Sequence, residues 1–391
     1  MLFEILLSIT FGILAGIITG LIPGIHINLI CSILLIILPK YNLDIKLSIC
    51  FIISMAITHT FLDTIPSIFL GAPDPNVCEL ILPAHKMLLK GNGFFAYILT
   101  CTGSLISLLF CIFSLYFFIK IIKIIDISIK NYIWIILILI IIFIIFSNKN
   151  KIECIKIYLI SGILGLICFN INLEQPLFHL LSGLFGISGL LISIYSKNEI
   201  PEQNNECNFK KIIKPSTFAT IMGFIAAFLP GFGTSQAAFL INKLTKINDE
   251  FYLILIGALS TSNMIFSTLT LLELNKARNG AILAVKEIAG QINFNIFLLM
   301  ILVIIISGSI ACIIGINISK KISNYIKKIN YTKLIISIII LIIIISFILD
   351  NFMGVLIIII STAIGIYCNL KSVPRNLMLG CINLQVILFF L

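Results

Sequence analysis

The sequence predicts an all-α, polytopic membrane protein, and three observations support this fold class. The 391 residues have a mean hydropathy of +1.18, with 60% hydrophobic and only 11% charged residues, which excludes an ordinary water-soluble domain. Apolar runs at 133–146, 334–349 and 355–367 approach the roughly 20 residues that a helix needs to cross a hydrocarbon core of about 30 Å. None alternates polar and apolar residues as the strands of a membrane barrel do. We therefore expect a multi-pass protein of the cell membrane.

In chain order, the apolar runs and the polar connectors between them predict about 10 to 12 full crossings. The first run contains Glu4 and has no basic segment ahead of it, so it is predicted to be a retained helix rather than a cleaved signal. The expected helices are 2–22, 25–39, 45–70, 93–121, 131–147, 154–172, 177–196, 215–229, 233–244, 251–274, 292–318, 332–349, 352–370 and 376–391.

The most hydrophilic connector, residues 197–214, divides the chain into two halves. We assign residues 1–196 to a first transmembrane repeat with extra helices, and residues 215–391 to a second repeat with C-terminal helices. GILAGIITGLIPGIHINLI at 12–30 resembles GFIAAFLPGFGTSQAAFLI at 223–241, since each has a small-residue helix, a Pro-Gly pair, a polar patch and an apolar run. Two pseudo-symmetric halves with such broken helices are typical of transporters built from inverted repeats.

The Pro-Gly pairs at 23–24 and 230–231 should each end one half-helix and start another, because proline lacks the backbone N–H and glycine frees the dihedrals. The unpaired backbone groups would be costly in hydrocarbon, so the breaks should line a cavity. A half-helix that starts near Gly233 directs N–H groups and a positive dipole end at the occupant, which favours an anion. The predicted substrate-binding residues are Pro23, Gly24, His26, Asn28, Pro230, Gly231, Gly233, Thr234, Ser235 and Gln236.

Structural alternatives compete with this binding role. The spacing of Gly12, Gly16, Gly20 and Gly24 also lets two membrane helices approach closely without any substrate. Neighbouring side chains can likewise satisfy the patch after Pro230 as a purely structural break. The patch still favours binding, because its three consecutive polar side chains circle the helix and at least one must face something polar.

His59 and Asp63 are four residues apart on one predicted helix face, where they can pair inside the membrane and carry a coupling proton. The alternative is that both residues lie near a helix end and form hydrogen bonds to the nearby backbone. Aligning the two halves gives them the counterparts Thr261 and Ile265, so a protonation role would belong to one half only. Hydroxyl and amide oxygens at an equivalent depth of the second half suit a sodium ion. The coupling-ion candidates are Thr58, His59, Asp63, Ser262 and Asn263.

Other functional classes find less support in the sequence. The net charge of +10 comes from lysines in short loops beside apolar runs, which is typical of cytoplasmic anchoring and not of nucleic-acid binding. The eleven cysteines include no CxxC pair and the four histidines no HExxH spacing, so no disulfide, metal or cofactor is predicted. The serine of GFGTSQ has no identifiable histidine base, which disfavours an intramembrane enzyme.

Several stretches resemble the large membrane subunit of the tripartite tricarboxylate transporters, the TctA family. GILAGIITGLIPG at 12–24 resembles its glycine-spaced Pro-Gly stretch, 229–236 its second Pro-Gly segment, and 71–97 its GxPG-type segment followed by lysine and glycine. The ending at 373–391 is similar to that of archaeal-type relatives, whereas 82–85 departs from the Asp-Gly-Tyr-Pro run of the bacterial subunits. The resemblance implies a carboxylate substrate, with a small four-helix membrane subunit and an extracytoplasmic solute-binding protein as partners.

These inferences together predict a secondary-type transporter, or the permease subunit of a tripartite system. It would move a small organic anion, such as a di- or tricarboxylate, by alternating access at a site between the two Pro-Gly breaks. A sodium ion or a proton is the expected coupling ion. An ion or solute channel is the alternative, since broken helices also build selectivity filters, and an intramembrane enzyme is a weaker one.

Overall fold

The computed structural model of the chain describes residues 2–23, 27–41, 44–71, 78, 81–195, 200–206, 213–245, 247–328 and 330–391. Across these ranges the chain is almost entirely helical and contains no β-strand. Up to residue 195 the helices are α1 (Leu2–Leu21), α2 (Ile27–Tyr41), α3 (Ile45–Leu62), α4 (Thr64–Phe69), α5 (Ile81–Leu88), α6 (Gly93–Ile129), α7 (Ile133–Phe146), α8 (Lys151–Asn170), α9 (Pro176–Leu181) and α10 (Ser188–Tyr195). Beyond residue 212 they are α11 (Ile213–Phe228), α12 (Thr234–Thr245), α13 (Asp249–Leu274), α14 (Gly280–Ala289), α15 (Phe294–Tyr325), α16 (Tyr331–Leu370) and α17 (Gly380–Phe390).

Eight helical stretches in the described part of the chain are long and apolar enough to cross a membrane, which confirms the all-α polytopic fold. Two of them are long enough for about two crossings. The 54-residue stretch Gly93–Phe146 contains both α6 and α7, and the 40-residue α16 has non-helical backbone at Asp350 and Asn351. At about 1.5 Å per residue, 40 residues cover roughly 60 Å, twice the hydrocarbon thickness. The number of full crossings therefore stays a prediction.

Asparagine side chains fix where four helices of the second half begin. The side-chain oxygens of Asn248, Asn279, Asn293 and Asn330 each accept a hydrogen bond from the backbone N–H three residues further on, at 2.9 to 3.1 Å. An N-cap of this kind satisfies one of the backbone donors that a helix start leaves unpaired. The sequence thus defines the starts of α13 to α16 locally, before any tertiary packing.

Two short helices differ from the sequence-based expectation. The segment with His85 and Lys86, for which no helix was expected, is the helix α5, which buries Ala84 and Leu88 completely. The segment after residue 279, for which no helix was expected, is α14, which ends at Gly290 with a φ of 64°. Each of these helices buries one apolar side against the core.

The helices α3, α4 and α13 form the centre of the fold. The most apolar window of α13 is 94% buried, and that of the stretch Ile45–Phe69 is 78% buried. The corresponding values are only 28% for α1 and 17% for α16, whose outward sides are apolar. The central helices are those that carry the hydroxyl-rich patches 56–64 and 258–268, so those patches lie inside the protein rather than against lipid.

Glycines set how closely the central helices approach one another. Along α1, a Cβ placed on Gly12, Gly16 or Gly20 would collide with α3; at Gly16 it would lie 2.6 Å from the Cβ of Thr58. Where α6 crosses α13, Gly103 faces the carbonyl of Ile254 in the same way. The glycine spacing of α1 therefore serves close helix packing, as the structural alternative held.

Candidate functional site

A cavity of about 570 Å³ lies where the two predicted breaks meet the central helices. Its described lining includes Pro23 from the end of the first break, and Gly231 and Gly233 from the second. The central helices add side chains such as Thr60 of α3 and Ser260 of α13. The volume falls within the roughly 300 to 1,000 Å³ typical of small-molecule sites. Described residues of both predicted Pro-Gly segments therefore line one cavity.

The residues predicted from the sequence divide into three groups. The lining of the cavity includes Pro23, Gly231, Gly233, His59, Asp63 and Asn263. The structure describes Pro230, Thr234, Ser235, Gln236, Thr58 and Ser262 outside that lining. Gly24 and His26 lie outside the described residues, and Asn28 is in α2 with its side chain outside the description. The binding and coupling roles of all these residues stay predictions.

Side-chain amides satisfy the backbone at the second break. Gly231 has a φ of 77°, which glycine adopts readily, and the Gly233 N–H donates to Gln236 Oε1 at 3.3 Å. With its amide oriented to suit its neighbours, Asn383 of α17 donates to the carbonyls of Gly231 and Leu379 and accepts from Gln236 Nε2 at 2.6 Å. Sequence reasoning missed Asn383, whose only signal is an asparagine within an otherwise apolar helix. Gln236 thus contributes hydrogen bonds that hold the break, and its predicted binding role stays a prediction.

The hydroxyl-rich patches pack in a register that differs from the sequence alignment. Thr58 of α3 lies against Gly16 of α1, and Ser262 of α13 lies against Gly223 of α11. The residue that follows each hydroxyl, His59 or Asn263, lines the cavity. His59 and Asn263 therefore occupy matching positions, His59 relative to α1 and Asn263 relative to α11. The alignment had paired His59 with Thr261, which is fully buried.

His59 and Asp63 lie where α3 ends beside the cavity. Both are only 2% exposed, and the Asp63 N–H donates to the His59 carbonyl at 2.9 Å as the last hydrogen bond of the helix. The backbone then continues into α4, whose Pro66 also lines the cavity. A helix-end position and access to the cavity thus occur together, so a structural and a functional role of these two residues do not exclude each other.

The loop between α13 and α14 brings a cation to the cavity that sequence reasoning missed. Arg278 lines it beside Asn279 and Gly280. Burial lowers the pKa of the Arg278 guanidinium, and the charge of Asp126 acts against this shift. The available signal was compositional, since Arg278 and Arg375 are the only arginines in a chain whose other basic residues are lysines.

The long apolar helices of the described residues are those of a multi-pass membrane protein. The chain belongs to the tripartite tricarboxylate transporter TctA family, whose family description matches residues 6–380. This is a transporter family, so the protein is not an enzyme. The family belongs to tripartite transporters, which also contain a second membrane subunit, TctB, and a solute-binding protein.

A curated relative extends the match to an archaeon. The chain is 35% identical over 319 residues to an uncharacterized protein of Methanocaldococcus jannaschii, and the alignment covers 78% of each chain. This similarity agrees with the archaeal-type ending of the sequence. No solved structure matches the chain.

Proposed function

We propose that the protein is the permease of a carboxylate transport system and that its cavity is the transport site. The observation that carries this proposal is the joint lining of one cavity by Pro23 and by Gly231 and Gly233. Interrupted membrane helices whose free backbone groups meet in a shared cavity are the usual substrate sites of repeat-built carriers. The cavity is also large enough for a di- or tricarboxylate.

The pattern of helix packing supports alternating access between two repeats. α1 packs along α3 and α11 packs along α13, so each break-bearing helix lies on the central helix of its own half. Two long helices instead pack on the central helix of the opposite half: α6 packs on α13, and α15 packs on α3. This reciprocal arrangement is what a pseudo-two-fold relation between the halves requires, and it favours a carrier over a channel with a central pore.

The coupling ion binds, in this proposal, near the ends of the central patches. Asp63 and His59 supply titratable groups at the cavity, and Asn263 supplies an amide in the matching position of the second half. Either a proton or a sodium ion suits this set. Thr58 and Ser262 instead pack against glycines, so they act in helix contact rather than in ion binding.

The test is uptake of radiolabelled succinate and citrate into vesicles that contain the full chain, with and without a sodium or pH gradient. Saturable uptake that requires a gradient supports the carrier. Non-saturating flux in both directions without any gradient would indicate a channel. Calorimetric binding of the same two anions to the purified chain accompanies the uptake assay, because transport itself can require the other subunits. Failure of both probes to bind contradicts a carboxylate site.

A further inference from the structure

The arginine at the cavity belongs to a loop that other side chains hold in place. Asn275 ends α13 with a left-handed backbone at a φ of 50°, and Asn279 caps the start of α14. Between them, Lys276 Nζ contacts both carboxylate oxygens of Asp126 in α6, at 2.5 and 2.7 Å. The hydroxyl of Thr270 donates to the Lys276 carbonyl at 3.2 Å. The position of the loop therefore does not depend on the side chain of Arg278.

The charge of Arg278 has no matching acid of its own in the described part of the chain. Asp126, the acid whose charge acts on Arg278, is already bridged by Lys276. The Nε of Arg278 is buried, and among the described residues it has no hydrogen-bond partner. A buried guanidinium with an unused donor is unfavourable unless an anion pairs with it. The cavity beside it is the place where such an anion can reach it.

We propose that Arg278 binds one carboxylate group of the transported anion, an inference that rests on the proposed function and assigns its charge-pairing residue. The planar guanidinium offers parallel N–H donors that match the two oxygens of a carboxylate, which a lysine ammonium cannot reproduce. The positive end of α14 adds to this, since Gly280 and Ala281 of its first turn also line the cavity. The amide of Asn263 is available to another polar group of the same anion.

The composition of the chain allows a test that leaves Arg278 unchanged. In the variant Arg375→Lys, Arg278 is the one remaining arginine, so phenylglyoxal modification measured by mass spectrometry reports on it alone. Saturating citrate or succinate is expected to slow this modification about tenfold or more. Trimethyl citrate, which is neutral, is expected to leave the rate unchanged. Citrate binding measured on the same sample without any protection of Arg278 overturns the proposal.

Variants of Arg278 provide the second measurement. Arg278→Gln is expected to weaken citrate binding about 10- to 100-fold, because a hydrogen-bonded charge pair is lost. The citrate affinity of Arg278→Lys is expected to lie between those of Arg278→Gln and the wild type. Arg375→Lys is the matched control, since Arg375 bonds to Asn369 near α17 and is outside the described lining.

The outcomes separate the two proposals. Unchanged citrate affinity in a folded Arg278→Gln protein overturns the role of Arg278 and leaves the transport function standing. A wild-type chain that binds neither citrate nor succinate overturns both. If the variant does not fold, protection of the unmodified Arg278 from phenylglyoxal decides the question alone.

Discussion

At the residue scale, paired amides explain how the second break persists inside a membrane. Gln236 accepts from the Gly233 N–H, and Asn383 donates to the Gly231 carbonyl and accepts from Gln236. Each backbone group buried without a hydrogen-bond partner costs about 1 to 3 kcal/mol, and hydrocarbon offers no such partner. The two amides therefore stabilise the break from the protein side, while the backbone of Gly231 and Gly233 also borders the cavity.

Replacing Asn383 should destabilise the protein measurably. Asn383→Leu keeps the approximate size but removes the amide, so we expect a loss of about 1 to 3 kcal/mol and a lower Tm in detergent. Gln385→Ala in the same helix is the control, because among the described residues Gln385 bonds to the Cys381 carbonyl one turn back, and a loss within about 0.5 kcal/mol is expected. Equal Tm values for the two variants would show that the amide network does not hold the break.

Removing the acid at the end of α3 should alter ion coupling rather than folding. Asp63→Asn preserves the shape of a side chain that lines the cavity but removes its negative charge and its ability to carry a proton. We expect the stimulation of anion uptake by a sodium or pH gradient to fall at least about tenfold, equivalent to ~1.4 kcal/mol. Asp249→Asn, which removes an exposed acid paired with Lys86, is the matched control and should keep its stimulation. Full stimulation in Asp63→Asn excludes this carboxylate from coupling.

Single residues were predicted well only where the local sequence itself carries the reason. A Pro-Gly pair breaks a helix wherever it lies, so Pro23 and Gly231 were found, and both line the cavity. Asn383 and Arg278 were missed, because each acts on groups brought to it by the fold. An asparagine in an apolar helix and an arginine in a short loop do not reveal which backbone carbonyl or which cavity they will face.

At the scale of elements, helix contacts around the site are closer than ordinary side chains allow. A Cβ on Gly103 of α6 would meet the Ile254 carbonyl of α13, and a Cβ on Gly257 of α13 would meet the Thr100 carbonyl of α6. Each helix thus presents a glycine at the same crossing. Such small-residue contacts are how membrane helices gain van der Waals contact without a hydrophobic driving force.

A methyl group at this crossing should push the central helices apart. Gly103→Ala is expected to cost about 1 to 3 kcal/mol and to lower the Tm, because the carbonyl of Ile254 is backbone and cannot rotate away. Gly186→Ala is the control, since nothing lies within 4 Å of its added Cβ, and alanine normally favours a helix over glycine. A Gly103→Ala protein as stable as the control would mean that α6 and α13 are not in close contact.

The long elements followed from the apolar runs of the sequence, whereas two short helices, α5 and α14, did not. The break expected between 349 and 352 coincides with the non-helical backbone at Asp350 and Asn351. By contrast, α5 and α14 were hidden, because half-length helices with charged residues look like loops until the core that covers their apolar side is known. The helix expected over 45–70 is interrupted at Asp63, where no proline or glycine stands at the break itself.

At the scale of the whole molecule, the buried position of α3 and α13 organises both halves. Each central helix contacts the break-bearing helix of its own half and a long helix of the other half. The cavity lies among the same elements, so movement of one half relative to the other would change access to it. The two matching halves stay a prediction from the sequence, and the packing of α6 on α13 and of α15 on α3 is a tertiary property that no local pattern encodes.

The most direct measurement of the central claim is an electron cryo-microscopy map of the full chain in lipid with saturating citrate. The account predicts density for the anion in the cavity between Pro23 and Gly231, with one carboxylate against Arg278. A map in which the two breaks lie far apart, or in which side chains fill the space between them while citrate binds elsewhere, would contradict it.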